Sequence, residues 1–325
     1  MTLRLARTGK ADSGAPQGSD AGPAGWACAF VNNMPDGAFV ATEHQFLELL
    51  DEAAGSEAID VRRFAMSGVP RGERTSTRIA EQYSPLEELW GDPPDLLIVT
   101  GSEPLAPAIE DEPYWDDLAR LLSWASARVS SMLLSCLSAH AALLVFDGLS
   151  RTRLPAKCTG VFPQDTDPGH PLAAGLVSPI VLPHSRLNAV PTEAVRAAGY
   201  AVALQAEVTG WGVISKAVDR SNVVLVQGHP EYGPSSLLAE YYRDAKRYVY
   251  RERDDVPRLP IDCAAGDDWA QLQHMQQRFV EGDRDPALVD SFSLHEAGAR
   301  ANWPWRAAAT RLYTNWLAGV PKRSD

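Results

Sequence analysis

The sequence predicts an α/β fold: a doubly wound, mostly parallel sheet with a small antiparallel extension and C-terminal helices. Strand-like and helical segments alternate from Trp26 to about Leu144, the order produced by parallel strands joined through right-handed helical crossovers. The best-defined strand-like runs are continuously apolar rather than alternating, as strands covered on both faces tend to be. Between Val161 and Ala217 the helix signals thin out and short strands follow one another through turns. That stretch reads as an antiparallel addition to the same domain.

Met1 to Gly25 is rich in Gly, Ala, Ser, Asp and Pro, lacks an apolar core, and reads as a disordered leader, residues 1–25. Residues 26–250 form the main domain. It opens with the buried strand Trp26–Val31, which runs into the loop signal Asn32-Asn33-Met34-Pro35-Asp36-Gly37. Phe39, Phe46, Leu47, Leu49 and Leu50 mark a helix closed at Gly55, and Ile59–Phe64 a second strand. Ser67–Thr77, polar and Arg-rich, is expected to be an exposed loop. Ser84-Pro85 with Glu87 carries the cap and first-turn residues of a short helix. Asp95–Gly101 is a central strand, and Tyr114–Ala127 a helix with Trp115, Leu118, Leu121, Leu122 and Trp124 in an apolar pattern. The next strand-like run ends at Cys136, where an Ala/Leu-rich helix begins. Asn222–Gln227 is the last buried strand; Gly228-His229-Pro230-Glu231-Tyr232 follows it, then a helix from about Ser235 to Tyr250. Residues 251–325 form a C-terminal helical extension, with helices near Trp269–Glu281 and Pro304–Leu317.

Bulk properties exclude several classes. A net charge of −12 over 325 residues argues against a general nucleic-acid or anionic-membrane surface. The four cysteines, Cys28, Cys136, Cys158 and Cys263, form no CxxC pair, which suits a reducing cytoplasm better than a disulfide framework. No metal site is expected, and no run approaches the roughly 18 apolar residues of a membrane span.

The chemistry concentrates at strand ends, where open parallel sheets bind ligands. A thiol at a strand-to-helix turn faces the N–H groups and positive end of the helix, which favour a thiolate and a nearby oxyanion. Cys136 has that address. It needs a base, and His229 lies at the end of another strand. The histidine needs an orienting acceptor, and Glu231 stands two residues on, across a proline that restricts the backbone between them.

These residues and the sheet order resemble the class I glutamine amidotransferase-like superfamily, a flavodoxin-like fold. Within it the chain is similar to a divergent member of the MetA-type homoserine O-acyltransferase family, which comprises succinyl- and acetyltransferases. The resemblance is carried by Asn33-Met34-Pro35, Ile98-Val99-Thr100-Gly101, Tyr114-Trp115-Asp116-Asp117-Leu118 and Cys136. It continues through Leu154-Pro155-Ala156-Lys157, Pro183-His184-Ser185-Arg186 and Gly228-His229-Pro230-Glu231-Tyr232 with Tyr241 and Arg243. It spans about Trp26 to Arg247, with an echo at Trp305, Leu312-Tyr313 and Asn315-Trp316-Leu317. The chain departs from the family at Leu137-Ser138-Ala139-His140-Ala141 after the cysteine, and at Asp36-Gly37-Ala38, where a lysine is usual. Asp262–Leu294 exceeds the family's normal length.

The resemblance implies O-acylation of L-homoserine in methionine biosynthesis, with no bound cofactor and with succinyl-CoA or acetyl-CoA as co-substrate. Cys136 would carry the acyl group as a thioester, with His229 as base and Glu231 as its orienter. Lys157, Ser185 and Arg243 would hold the amino acid, Arg243 clamping its carboxylate. Backbone N–H groups at Asn33 and Leu137 would hold the oxyanion, each contributing on the order of 3 kcal/mol. Glu103 and Leu105 fall in the loop that selects acyl size, where a bulky Leu105 favours a short acyl group. A cytoplasmic homodimer with small-molecule partners alone is expected. Two alternatives stay open: acylation of L-serine or a related amino acid, and amide hydrolysis in the amidotransferase manner.

Overall fold

A computed structural model describes residues 3–5 and 25–322. The described residues form one ten-stranded sheet flanked by helices. In chain order these are β1 (Leu3–Leu5), β2 (Trp26–Asn32), α1 (Asp36–Ala54), β3 (Ile59–Ala65), α2 (Glu73–Gln82), α3 (Glu88–Gly91) and β4 (Leu96–Val99). Then come α4 (Trp115–Ser126), β5 (Ser131–Ser135), α5 (Leu137–Asp147), β6 (Thr152–Thr166), β7 (Ile180–Ala189), α6 (Thr192–Ala197), β8 (Ala201–Ala206), β9 (Gly210–Val218) and β10 (Ser221–Val226). The chain finishes with α7 (Ser236–Val249), α8 (Gly266–Val280), α9 (Pro286–Asp290), α10 (Leu294–Arg300) and α11 (Arg306–Ala318).

The sheet order is β1-β3-β2-β4-β5-β10-β9-β8-β6-β7. Six strands, β1 through β10 in that order, pair in parallel. From β10 onward the pairing is antiparallel. The expected mostly parallel sheet with an antiparallel extension is therefore the fold. The apolar runs sit where their composition requires: β4 and β5 are buried along their whole length. One apolar layer (Phe30, Phe46, Ile98, Leu133, Val224) lies on one side and a second (Val31, Leu97, Leu121, Met132, Leu225) on the other.

Four expectations change. Most of the 1–25 leader lies outside the described residues, but Leu3–Leu5 pair with Ile59–Val61 as an edge strand. Ser67–Thr77 is a largely exposed loop only as far as Gly72, because α2 begins within it at Glu73. Arg71 donates to the carbonyls of Met34, Met66 and Asn32 at 3.0, 2.7 and 3.1 Å. Its polarity serves buried backbone, which local composition does not reveal. Ser84 caps no helix by its side chain; its N–H bonds Arg63 O at 2.8 Å, and helix is reached only at Glu88. The middle region contains a 15-residue strand, β6, and a short helix, α6, rather than short strands alone.

The C-terminal segment is part of the core. Leu272, Met275, Phe279, Trp305, Leu312, Tyr313 and Trp316 belong to the same apolar cluster as Phe30, Phe46 and Ile98. Trp316 Nε1 donates to Ser131 Oγ at 2.8 Å, tying α11 to a strand at the sheet's centre. Among the described residues no helix is long and apolar enough to cross a membrane, and no cluster of metal-ligating side chains occurs.

Candidate active site

Cys136 stands between β5 and α5 with φ 50° and ψ −108°, a conformation that costs a non-glycine residue of order 1–3 kcal/mol. The turn is held from both sides. Cys136 N–H donates to Val226 O at 2.7 Å, and Cys136 O accepts from His140 N–H at 3.2 Å, the first bond of α5. Such a strained strand-to-helix elbow exposes a nucleophile at the head of a helix. Gly101, after β4, makes room for it: a Cβ there would stand 3.1 Å from Cys136 Cβ and 3.5 Å from Leu137 N.

His229 and Glu231 follow β10, the strand beside β5. His229 Nδ1 and Glu231 Oε1 are 2.8 Å apart, and both side chains are buried. His229 Nε2 is buried and makes no hydrogen bond of ordinary geometry. Burial is the largest influence on the imidazole and pushes its pKa down. The Glu231 charge and hydrogen bonding with Cys136 and Glu231 outweigh it, so the pKa lies well above the usual histidine value. The proximity of the thiol to the ring thus registers in its electrostatics. The ring also stacks on Tyr232, with centroids 4.3 Å apart and planes at 21°.

The two other histidines near the site are held neutral. His140 Nε2 lies 3.0 Å from Gln227 Oε1, and the Gln227 amide nitrogen donates to Trp211 O at 2.8 Å. The glutamine oxygen is therefore the acceptor, and His140 Nε2 carries the proton. Burial pushes His140 down to about 4. His184, fully buried, has Nδ1 3.1 Å from Arg186 Nη1, and burial with the Arg186 charge holds it well below the usual range.

Cys136, His229 and Glu231 line a cavity of about 1330 Å³. That exceeds the roughly 300–1,000 Å³ of pockets for one small ligand. Lys157 on β6, Ser185 on β7 and Arg243 on α7 line the same cavity. Lys157 Nζ is 3.1 Å from Asp244 and 3.5 Å from Glu240. Arg243 Nη2 lies 3.4 Å from Asp244, and its Nε is buried without a partner. Sequence reasoning missed Glu240, which gathers the set: Ser185 Oγ and Tyr232 Oη donate to its two carboxylate oxygens. Burial raises the pKa of Glu240, but the Lys157 charge and these two hydrogen bonds more than offset it, so it stays a carboxylate. Its place on the helix after the His-Pro-Glu turn, three residues before Arg243, was the available signal.

Two expected assignments do not hold geometrically. The Asn33 N–H donates to Thr100 Oγ1 at 2.8 Å and is not free for an oxyanion. The N–H groups of Leu137, Gly101 and Ser102 have no acceptor among the described residues, and Gly101 is the backbone packed against Cys136. Leu105 turns away from the cavity: it is 58% exposed, and its N–H is held by Glu112 at 2.9 Å. Glu103 does line the cavity, paired with Arg247 at 2.8 Å.

A family model described as homoserine O-succinyltransferase matches residues 25–323, so the match runs through the C-terminal helices. The homoserine O-succinyltransferase of Rhodopseudomonas palustris is 39% identical over 293 residues, 89% of this chain and 86% of that protein. That of Bradyrhizobium japonicum is 36% identical over 307 residues, 93% of each. A solved glutamine amidotransferase from Methylobacillus flagellatus superposes with a TM-score of 0.52 at 14% identity, covering 92% of this chain and 96% of that one. At that identity the likeness is one of fold.

Proposed function

The chain belongs to the homoserine O-succinyltransferase family, and from that premise we propose that it moves a succinyl group from succinyl-CoA to the hydroxyl of L-homoserine, in methionine biosynthesis, through a thioester on Cys136. The observation that carries the reading is the strained Cys136 elbow beside the His229–Glu231 pair, in a cavity roomy enough for two substrates.

In the first half-reaction His229 Nε2 accepts the thiol proton while Glu231 holds Nδ1–H. The sulfur attacks the acyl carbonyl, and the oxyanion settles on the free N–H groups of Leu137 and the Gly101–Ser102 loop, in place of Asn33. CoA leaves as its thiol with the proton from the imidazolium. In the second half-reaction the homoserine hydroxyl gives its proton to His229 and attacks the thioester. Collapse releases the ester and returns the thiol. Lys157 and Arg243 supply positive charge for the amino acid's carboxylate, and Glu240 negative charge for its ammonium. Arg153 and Arg258 line the cavity without an acidic partner among the described residues, which suits a donor bearing a carboxylate and phosphates. The relatives' names favour succinyl.

Intact-mass analysis after exposure to succinyl-CoA or acetyl-CoA tests the reading. A gain of one succinyl group, discharged by L-homoserine and absent in Cys136→Ala, is the expected result. No adduct with any acyl-CoA, together with glutaminase activity, would overturn it.

A further inference from the structure

Two indoles from the C-terminal segment converge on one carbonyl oxygen of the turn that carries His229. Trp303 and Trp305 lie in the link between α10 and α11, with Nε1 atoms 2.9 Å and 2.8 Å from Tyr232 O. An indole N–H only donates, and a carbonyl oxygen offers two lone pairs, so the pair saturates this acceptor. We propose that Trp303 and Trp305 are positioning residues: by clamping the Tyr232 carbonyl they keep His229 in register with Cys136. The proposal rests on reading those two residues as base and nucleophile.

The turn needs such an anchor. His229 N–H bonds Pro183 O at 2.8 Å, which secures the entry to the sheet, and Tyr232 N–H returns to His229 O at 3.1 Å. Beyond Tyr232 the chain leaves through Gly233-Pro234 toward α7. Among the described residues the Tyr232 carbonyl is held by no sheet or helix backbone; the indoles hold it alone. The Tyr232 ring is stacked on the His229 imidazole, so a displaced Tyr232 removes the surface that sets the plane of the base. A misplacement of about 1 Å costs on the order of 10²-fold in rate.

The clamp is itself braced. Trp305 is buried. Trp303 lies under the Arg306 guanidinium at 4.4 Å, and Arg306 pairs with Glu52 on α1 at 2.6 Å. The same segment also reaches the carboxylate end of the pair. Tyr313 Oη on α11 and Glu231 Oε2 are both buried without a hydrogen-bond partner. Burial first, and then the Glu231 charge, push the Tyr313 phenol up. The C-terminal segment thus borders the catalytic turn on its carbonyl side and on its carboxylate side.

Trp303→Phe/Trp305→Phe keeps aromatic bulk and removes both donors. The main readout is the pH dependence of Cys136 alkylation by iodoacetamide, assigned by peptide mass mapping. It needs no acyl donor, so it stands even if acyl transfer fails as a reading. A histidine in register draws the thiol toward thiolate. In the double variant the inflection should move up by about one pH unit, toward that of His229→Asn, with roughly tenfold slower alkylation at the acid end. With substrates, kcat should fall about tenfold or more while the homoserine KM stays within about twofold. A wild-type alkylation profile in a folded double variant overturns the proposal, as does lost activity that only tracks the unfolded fraction. Should the double variant not fold, the two single variants decide: a shifted profile in either supports the clamp, and wild-type profiles in both overturn it.

Discussion

At Glu231 one carboxylate oxygen lies 2.8 Å from His229 Nδ1, and the carboxylate's charge sets the titration of that imidazole. The Glu231 charge is the largest influence raising His229 above the ordinary histidine value, against the downward push of burial. Glu231→Gln should therefore lower the imidazole pKa, read by NMR of labelled histidine, and reduce turnover by about 10²–10⁴-fold. An unmoved His229 titration would refute the electrostatic half of this account. The sign extends to stability. Because the folded pKa is raised, the His229 contribution is complete below about 6.5 and is lost as pH rises through the folded value. Glu231→Gln should flatten that loss. At Gly101 the issue is space. A Cβ would stand 3.1 Å from Cys136 Cβ, so Gly101→Ala should shift the loop and cost about 10²–10³-fold in kcat if its backbone is an oxyanion donor. Steady-state kinetics with kcat unchanged would place the second donor elsewhere.

At the scale of elements, β6 joins the sheet to the C-terminal segment. Val161 N–H donates to Ile261 O at 2.9 Å, and Ile261 N–H to Thr159 O at 3.1 Å. Gly160, between these two, has φ +141°, and a Cβ there would fall 2.6 Å from Ile261 N and O. Both the backbone conformation and the close approach demand glycine. Gly160→Ala should cost about 1–3 kcal/mol for the conformation alone, measurable as a lower urea midpoint. Since Lys157 sits three residues before Gly160 on the same strand, the loss of this contact should also raise the KM for the amino acid. The segment around Ile261, between α7 and α8, gains its role here from a strand distant in the chain.

For the whole molecule, α11 connects the C-terminus to the sheet's centre. Trp316 is 1% exposed and bonds Ser131 on β5, the strand that delivers Cys136. Trp316→Ala should destabilise the protein by about 3–5 kcal/mol, seen in equilibrium unfolding. A loss near zero would mean that α11 packs without supporting the core.

Much of this was legible without coordinates. The continuous apolar runs at β2, β4, β5 and β10 determined a parallel sheet, because only strands covered on both faces bury such runs. Cys136 and His229-Pro230-Glu231 at the ends of two of those runs pointed to the candidate site, since strand ends are the open side of such a sheet, and Cys136, His229 and Glu231 line one cavity. Tertiary structure alone decided which groups meet. It gave the Asn33 N–H to Thr100, turned Leu105 outward, set Glu240 at the centre of the polar cluster, and brought two indoles 71 and 73 residues along the chain to the Tyr232 carbonyl. Local pattern reports the period and polarity of neighbours in sequence. Hydrogen bonds between distant segments depend on how the folded elements pack, and that information belongs to the packing.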